Sequence, residues 1–388
     1  MKSFRFGRRA LTPLFVAFAV WLGGGTSALF GDCGPFTDVT TFCSNVLEVF
    51  YLGITTGTTA TTYDPTSNVS RLQMAIFLSR SADRLLQRGS RRAALKVFWT
   101  PQNDAVLGKT LIGGTPTLVE SDGADLWVSN FGGTVSRVRG SDGKLLETWT
   151  GAANAAGVAI VTGHVIVTGF ATPGKLYQID PTQSAGAVTT VATNLGSGPW
   201  GAAFDGSRIW TANFGGSVSI ATPAAAPPWS VSTITTGFSK LRGVLYDGAN
   251  VWATDEMAGT LLKLDGAGAI LQTVTVGSSP WIPVFDGTNI WVPNRASSSV
   301  SIVRASGGAL LATLTGNGLA APEVAAFDGQ RILVTNNAGD SVSLWKAADL
   351  TPLGSFGAGQ FSGPEGACSD GVNFWVTQSN VGSRLLRF

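Results

Sequence analysis

The chain has 388 residues, with 26 Lys and Arg against 24 Asp and Glu and a formal charge of +2. So even a balance gives no case for a nucleic-acid partner. Past residue 28, no apolar run is long enough to form a membrane-spanning helix.

Residues 1–28 read as a secretory signal peptide. Lys2, Arg5, Arg8 and Arg9 form a basic start, and Leu11–Leu22 is an apolar stretch too short to span a bilayer. Thr26-Ser27-Ala28 supplies small residues for cleavage. Arg8-Arg9 also matches the pair of a twin-arginine signal, but its flanks fit that pattern poorly. The segment holds four basic residues and no acid, so its removal takes the charge from +2 to −2. An exported protein, at the cell surface, in the envelope or outside the cell, is expected.

Cys33 and Cys43 follow closely. Export permits a disulfide, and this pair closes a short loop worth about 3 kcal/mol in the loop-entropy model. No His or further Cys lies near enough to suggest a metal instead.

Residues 29–86 contain three spaced motifs. Phe36-Thr37-Asp38-Val39 precedes an apolar, helix-like stretch, Ser44–Leu52, and then Gly53-Ile54-Thr55-Thr56-Gly57. Tyr63-Asp64-Pro65 leads to Val69–Leu78, where Ser70 suits a helix N-cap and Leu72, Ala75, Ile76 and Leu78 form an apolar face. The order resembles an S-layer homology (SLH) module, with its F-x-D-V, G-I-x-x-G and T-R-A-E motifs. The resemblance implies a small α-helical module that anchors to cell-wall or envelope polysaccharide, with Arg71 contacting anionic groups. This chain departs from the family in carrying Gln73 where the motif has Glu, and in showing one module where wall anchors commonly have three. A solvated residue at a helix start is the competing reading of Arg71.

Residues 79–96 hold Arg80, Arg84, Arg88, Arg91, Arg92 and Lys96 against a single acid, Asp83. A solvated helix end is favoured over a surface for acidic glycans or lipid headgroups. Gly89-Ser90 breaks the helix, and residues 87–104 read as a linker.

From residue 105 to 388 the sequence repeats. Asp-Gly or its counterpart recurs at Asp122-Gly123, Thr162-Gly163, Asp205-Gly206, Asp247-Gly248, Asp286-Gly287, Asp328-Gly329 and Asp370-Gly371, in steps of 39 to 43 residues. Asp-Gly between apolar runs signals a hairpin. Each copy, as in Gly198–Thr222, holds three short apolar runs separated by turns, and a fourth run such as Gly308–Thr315 follows. Four short strands every 40 residues or so is the blade of a β-propeller, and seven copies predict seven blades. The last copy, Gly363–Phe388, stops after its third strand, Ser383–Phe388, and Ala105–Gly113 is expected to supply the fourth.

Five residues after the Asp position stand Trp127, Val167, Trp210, Trp252, Trp291, Leu333 and Trp375. Their apolar neighbours favour a strand sandwiched between sheets over a ligand-stacking ring. Cys368, in the first strand of the last copy, reads as a buried, unreactive thiol. The pattern P-x-G-x-x-x-D-G-x-x-I-W-V-x-N, most complete at Pro199–Asn213, resembles the NHL, YVTN and virginiamycin-B-lyase-like propellers. That group includes lyases, lactonase-like enzymes and pure binding modules, so the resemblance bears on fold far more than on function.

Two sets of positions are expected at the end of each blade opposite the Asp-Gly turn. The first, Thr117, Gly157, Trp200, Arg242, Trp281, Glu323 and Glu365, should ring the channel mouth. The second is Asn130, Phe170, Asn213, Asp255, Asn294, Asn336 and Gln378, whose Asn and Asp members suit capping of the following turn. Trp200, Arg242, Trp281, Glu323 and Glu365 are the candidate ligand-binding residues, for an unknown protein or glycan. No catalytic residue is assigned. The only His, His164, belongs to a turn at the opposite end, whereas the resembled lyases use His as base. The expected function is a non-catalytic binding module anchored at the envelope. The alternative is a lactonase-like hydrolase or lyase in which Glu323, Glu365, Asn294 and Asn336 supply oxygens to Ca²⁺.

Overall fold

Among the described residues, seven four-stranded antiparallel sheets follow one another, six built in sequence order and the seventh combining the last three strands with the first. The computed structural model describes residues 36–40, 46, 49–50, 55, 57–71, 73–78, 108–357, 359–380 and 382–388. The chain divides into two units, Met1–Ala94 and Leu95–Phe388.

The second unit is an all-β, seven-bladed propeller. Its inner strands are Pro116–Ser121, Ala155–Val161, Pro199–Phe204, Leu241–Tyr246, Val284–Phe285, Pro322–Phe327 and Pro364–Ser369. Each packs against the next, and the last against the first, so the ring closes. Blade 7 is completed by a strand from the start of the propeller. Gly108–Leu111 pairs antiparallel with Arg384–Arg387, Gly108 opposite Arg387 and Leu111 opposite Arg384. The Ile112 amide extends the ladder to the Ser383 carbonyl at 3.0 Å.

Apolar clusters fill the spaces between blades. Ile112, Val119, Leu126, Cys368, Trp375 and Leu385 join blades 7 and 1, and Trp210, Val218, Leu241 and Leu262 join blades 3 and 4. Trp127, Trp210, Trp252, Trp291 and Trp375 are fully buried, as their apolar surroundings require. Cys368 is buried too, and burial pushes its thiol pKa up.

The recurrent Asp explains the recurrent Trp. Asp122, Asp205, Asp247, Asp286 and Asp370 each turn Oδ1 to the backbone amides two and three residues on. Each offers Oδ2 to the indole Nε1 of Trp127, Trp210, Trp252, Trp291 or Trp375, at 2.6–2.8 Å. Blade 6 has Leu333 at the Trp position, and Asp328 Oδ2 accepts instead from Arg331 Nε at 2.7 Å.

Blade 2 departs from the expected alignment by one residue. Val161 pairs with His164 across a two-residue turn, Thr162-Gly163, in which both residues have positive φ (46° and 81°). Elsewhere only the first residue of the turn, the Gly, has positive φ. The glycine has therefore moved one place along the turn. Val161 holds the Asp position, Ile166 rather than Val167 holds the Trp position, and Ala156 rather than Gly157 falls at the mouth.

In the first unit, Phe36, Val39 and Val46 are buried together, with Phe50 and Tyr63 packed against them. Asp38 accepts from the Tyr63 and Asp64 amides at 2.7–3.1 Å. Ser70 and Gln73 form a reciprocal capping box, Ser70 N to Gln73 Oε1 at 2.8 Å and Gln73 N to Ser70 Oγ at 3.2 Å. Arg71 and residues 73–78 are helical and Arg71 is exposed. The expected apolar face is not buried: Ala75, Ile76 and Leu78 are exposed as well. The signal segment 1–28, Cys33, Cys43 and the linker 87–104 lie outside the described residues.

Candidate functional site

At the end opposite the Asp-Gly turns, six of the seven inner strands open with the same device. Pro199 pairs with Asn213, and the register then shifts by one before Ala202 pairs with Thr211. Trp200 and Gly201 therefore share the space opposite Ala212, forming a β-bulge. The same shift follows Pro116, Ala155, Leu241, Pro322 and Pro364. It re-aims the first bulged residue of each blade: Thr117, Ala156, Trp200, Arg242, Glu323 and Glu365. In blade 5, Pro280 bridges to Asn294 and Trp281 takes the equivalent place.

A hydroxyl relay holds these bulges in position. The Thr168 hydroxyl accepts from the Gly157 amide in its own blade and donates to the Trp200 carbonyl in the next, at 2.9 Å. Thr254 does the same for Gly243 and Trp281, Thr335 for Val324 and Glu365, and Thr377 for Gly366 and Thr117. Ser129 reaches the Ala156 carbonyl at 2.6 Å. Five of the mouth residues, Thr117, Ala156, Trp200, Trp281 and Glu365, are thus tied to the blade before them.

The second predicted set is structural. Asn130, Asn213, Asn294 and Asn336 are buried, and each donates its side-chain amide to two hydroxyls of the third strand, such as Ser217 and Ser219. Asp255 accepts from the Ser239, Lys240 and Ala258 amides. Phe170 does not belong to this set, because the blade-2 register puts Gly169 opposite Ala155.

The residue after each cap completes the mouth, and sequence reasoning missed it. Phe131, Phe170 and Phe214 stand there in blades 1 to 3, followed by Glu256 and Arg295 in blades 4 and 5. Phe131 and Phe214, one place past the cap, and Phe170, one place earlier in the Asp-Gly alignment, were the available signal.

Together these residues divide the mouth into three arcs. The aromatic arc runs Phe131 to Phe170 (ring centroids 6.1 Å apart), Phe170 to Trp200 (5.7 Å) and Phe170 to Phe214 (5.9 Å). The cationic arc centres on Arg242, which is buried. Its guanidinium lies over Trp281 at 4.3 Å, Trp200 at 4.6 Å and Phe214 at 4.7 Å. It pairs with Glu256 Oε2 at 3.0 Å, while Lys240 reaches Glu256 Oε1 at 3.3 Å. The acidic arc is Glu323 and Glu365. Glu323 is 3% exposed and accepts from Arg295 Nε at 2.8 Å through Oε1. Burial pushes the Glu323 carboxyl up to about 7, against the pull of Arg295 and Arg242. Burial, reinforced by Glu323, pushes Glu365 up to about 8.

Three polar atoms of this cluster have unmet hydrogen-bonding capacity. Trp200 Nε1, Trp281 Nε1 and Glu323 Oε2 are buried and have no partner among the described residues. A buried polar group without a partner costs about 1–3 kcal/mol, so three in one cluster call for an explanation.

Two of the four oxygen donors named for Ca²⁺, Asn294 and Asn336, are engaged in hydrogen bonds. Asn294 and Asn336 spend their amides on serine pairs and their Oδ1 atoms on the Gly277 and Ala320 amides. Among the described residues, no group of three or more His, Cys, Asp or Glu could hold a metal ion. His164 lies at the opposite end of its blade, in the hairpin with Val161.

No protein-family model matches the chain, and no curated protein matches it. Among solved structures, a catalytically inactive virginiamycin B lyase from Staphylococcus aureus with quinupristin is similar at 15% identity and a TM-score of 0.59. The match covers 72% of this chain and 98% of that one. The Cps50 (Swd1) β-propeller domain of Myceliophteria thermophila is similar at 11% identity and a TM-score of 0.60, covering 73% and 98%. A lyase and a propeller domain resembling the chain about equally well establish the fold alone.

Proposed function

We propose that the propeller is a non-catalytic binding module that takes a small polar ligand with a flat apolar face at the channel mouth. The observation that carries this reading is the trio of buried, unpartnered atoms, Trp200 Nε1, Trp281 Nε1 and Glu323 Oε2, beside half-buried aromatic rings packed edge to face. Two donors and an acceptor on a rigid aromatic wall suit a ligand that is both stacked and hydrogen-bonded. Calorimetric titration with a panel of mono- and oligosaccharides and short peptides tests it. Binding that weakens about tenfold in Trp281→Phe, which keeps a ring but loses the N–H, is expected. Equal binding by Trp281→Phe would place the ligand elsewhere.

In the same reading the protein is exported and residues 29–86 attach it to envelope polysaccharide through the exposed Arg71. The Asp38 clasp on Tyr63 and Asp64 and the Ser70–Gln73 box, formed by residues of the first and last motifs, are the contacts this reading draws on. Arg71→Ala is expected to lose sedimentation with isolated envelope polymers. Unchanged co-sedimentation would remove the anchoring role.

A further inference from the structure

We infer that the ligand presents a protonated amine, which docks between Glu323 Oε2 and the carboxylate of Glu365. The inference rests on the binding role proposed above and names the chemical class of the ligand.

The argument starts from how the charges are paired. Arg242 and Lys240 both lean on Glu256, and Arg295 engages Glu323 through Oε1 alone. Glu323 Oε2 has no partner, and the Glu365 carboxylate forms no ion pair or hydrogen bond among the described residues. The two acids feel each other, and Arg242, already matched by Glu256, is the cation whose charge reaches both. The unmet capacity of the acidic arc is therefore acceptor capacity on two neighbouring carboxyls. An ammonium group has three donors and no acceptor, and it brings the positive charge that the buried Glu323 and the half-buried Glu365 lack. A neutral hydroxyl meets the hydrogen bonds but brings no charge to match two ionised carboxylates. An anion meets neither. The unfilled Trp200 and Trp281 N–H groups then serve acceptor oxygens on the rest of the ligand. The burial that raises both carboxyl pKa values also predicts that an arriving cation displaces protons.

Two oligosaccharides that differ only at nitrogen test this: the β-1,4 tetramer of glucosamine and its fully N-acetylated form. Full-length protein is titrated with each by calorimetry at neutral pH, in two buffers of different ionisation enthalpy. The amine tetramer is expected to bind about tenfold or more tightly than the acetylated one, the loss typical of a hydrogen bond to a charged group. Its heat should differ between buffers because protons leave. Glu365→Gln is expected to abolish both the preference and the proton release, with a thermal melt confirming that the variant is folded. Equal binding of the tetramers, or tighter binding of the acetylated one, overturns the amine assignment and leaves a polar ligand at the mouth standing. Absence of amine binding to folded protein also overturns it. A preference that survives in folded Glu365→Gln does so as well, since the amine would then be read elsewhere.

Discussion

The indole Nε1 of Trp252 donates to Asp247 Oδ2 at 2.7 Å, while Asp247 Oδ1 holds the Ala249 and Asn250 amides at 2.6–2.8 Å. One carboxylate thus closes the turn and satisfies the donor of a fully buried Trp. Asp247→Ala removes both functions and strands the indole N–H. A loss of about 2–4 kcal/mol is expected, read from chemical denaturation. A loss under about 0.5 kcal/mol would show that the indole finds another partner.

The ring is closed by four residues from the start of the propeller pairing with Arg384–Arg387. Deleting residues 384–388 exposes that strand and removes Leu385 and Leu386, both fully buried. Each is the kind of side chain whose loss costs about 2–5 kcal/mol. The truncated protein is expected to lose its cooperative melt or to melt many degrees lower. An unchanged melting temperature would show that the ring does not depend on this closure.

Glu256 neutralises Arg242, which is 8% exposed. Glu256→Ala leaves that guanidinium buried among Trp200, Trp281 and Phe214 without a carboxylate. A destabilisation of about 3 kcal/mol is expected, because an unpaired buried charge costs more than the pair contributes. Pairing the change with Arg242→Met should recover part of it in a double-mutant cycle. If Glu256→Ala alone proves neutral, the aromatic faces suffice to hold the charge.

Glu323 and Glu365 titrate near 7 and 8 in the folded chain, above the ordinary carboxylate value of 4.5. Between 4.5 and these values the folded state binds more protons than the unfolded one. Stability therefore falls as pH rises through this range, and the penalty is complete above about 8. A melting temperature higher at pH 6 than at pH 9 is expected, with the slope reduced in Glu323→Gln with Glu365→Gln. A slope unchanged by the double substitution would assign the dependence to other groups.

The sequence by itself determined the propeller, its seven blades and its borrowed strand. Period, turn chemistry and apolar runs are local signals, and a missing last strand implies a donor. It also placed Trp200, Arg242, Trp281, Glu323 and Glu365 at one mouth, because hairpin counting preserves which end of a strand a residue occupies. It misaligned blade 2 by one residue, since a turn with two positive-φ positions carries its glycine one step later. Only the tertiary structure showed the bulges that re-aim the mouth residues and the hydroxyl relay that links five of the seven blade junctions. The same holds for the pairing of Arg242 with Glu256 and of Glu323 with Arg295. The first pair joins the ends of two strands of one blade and the second joins neighbouring blades, and a repeat pattern contains no record of which charges come to face each other.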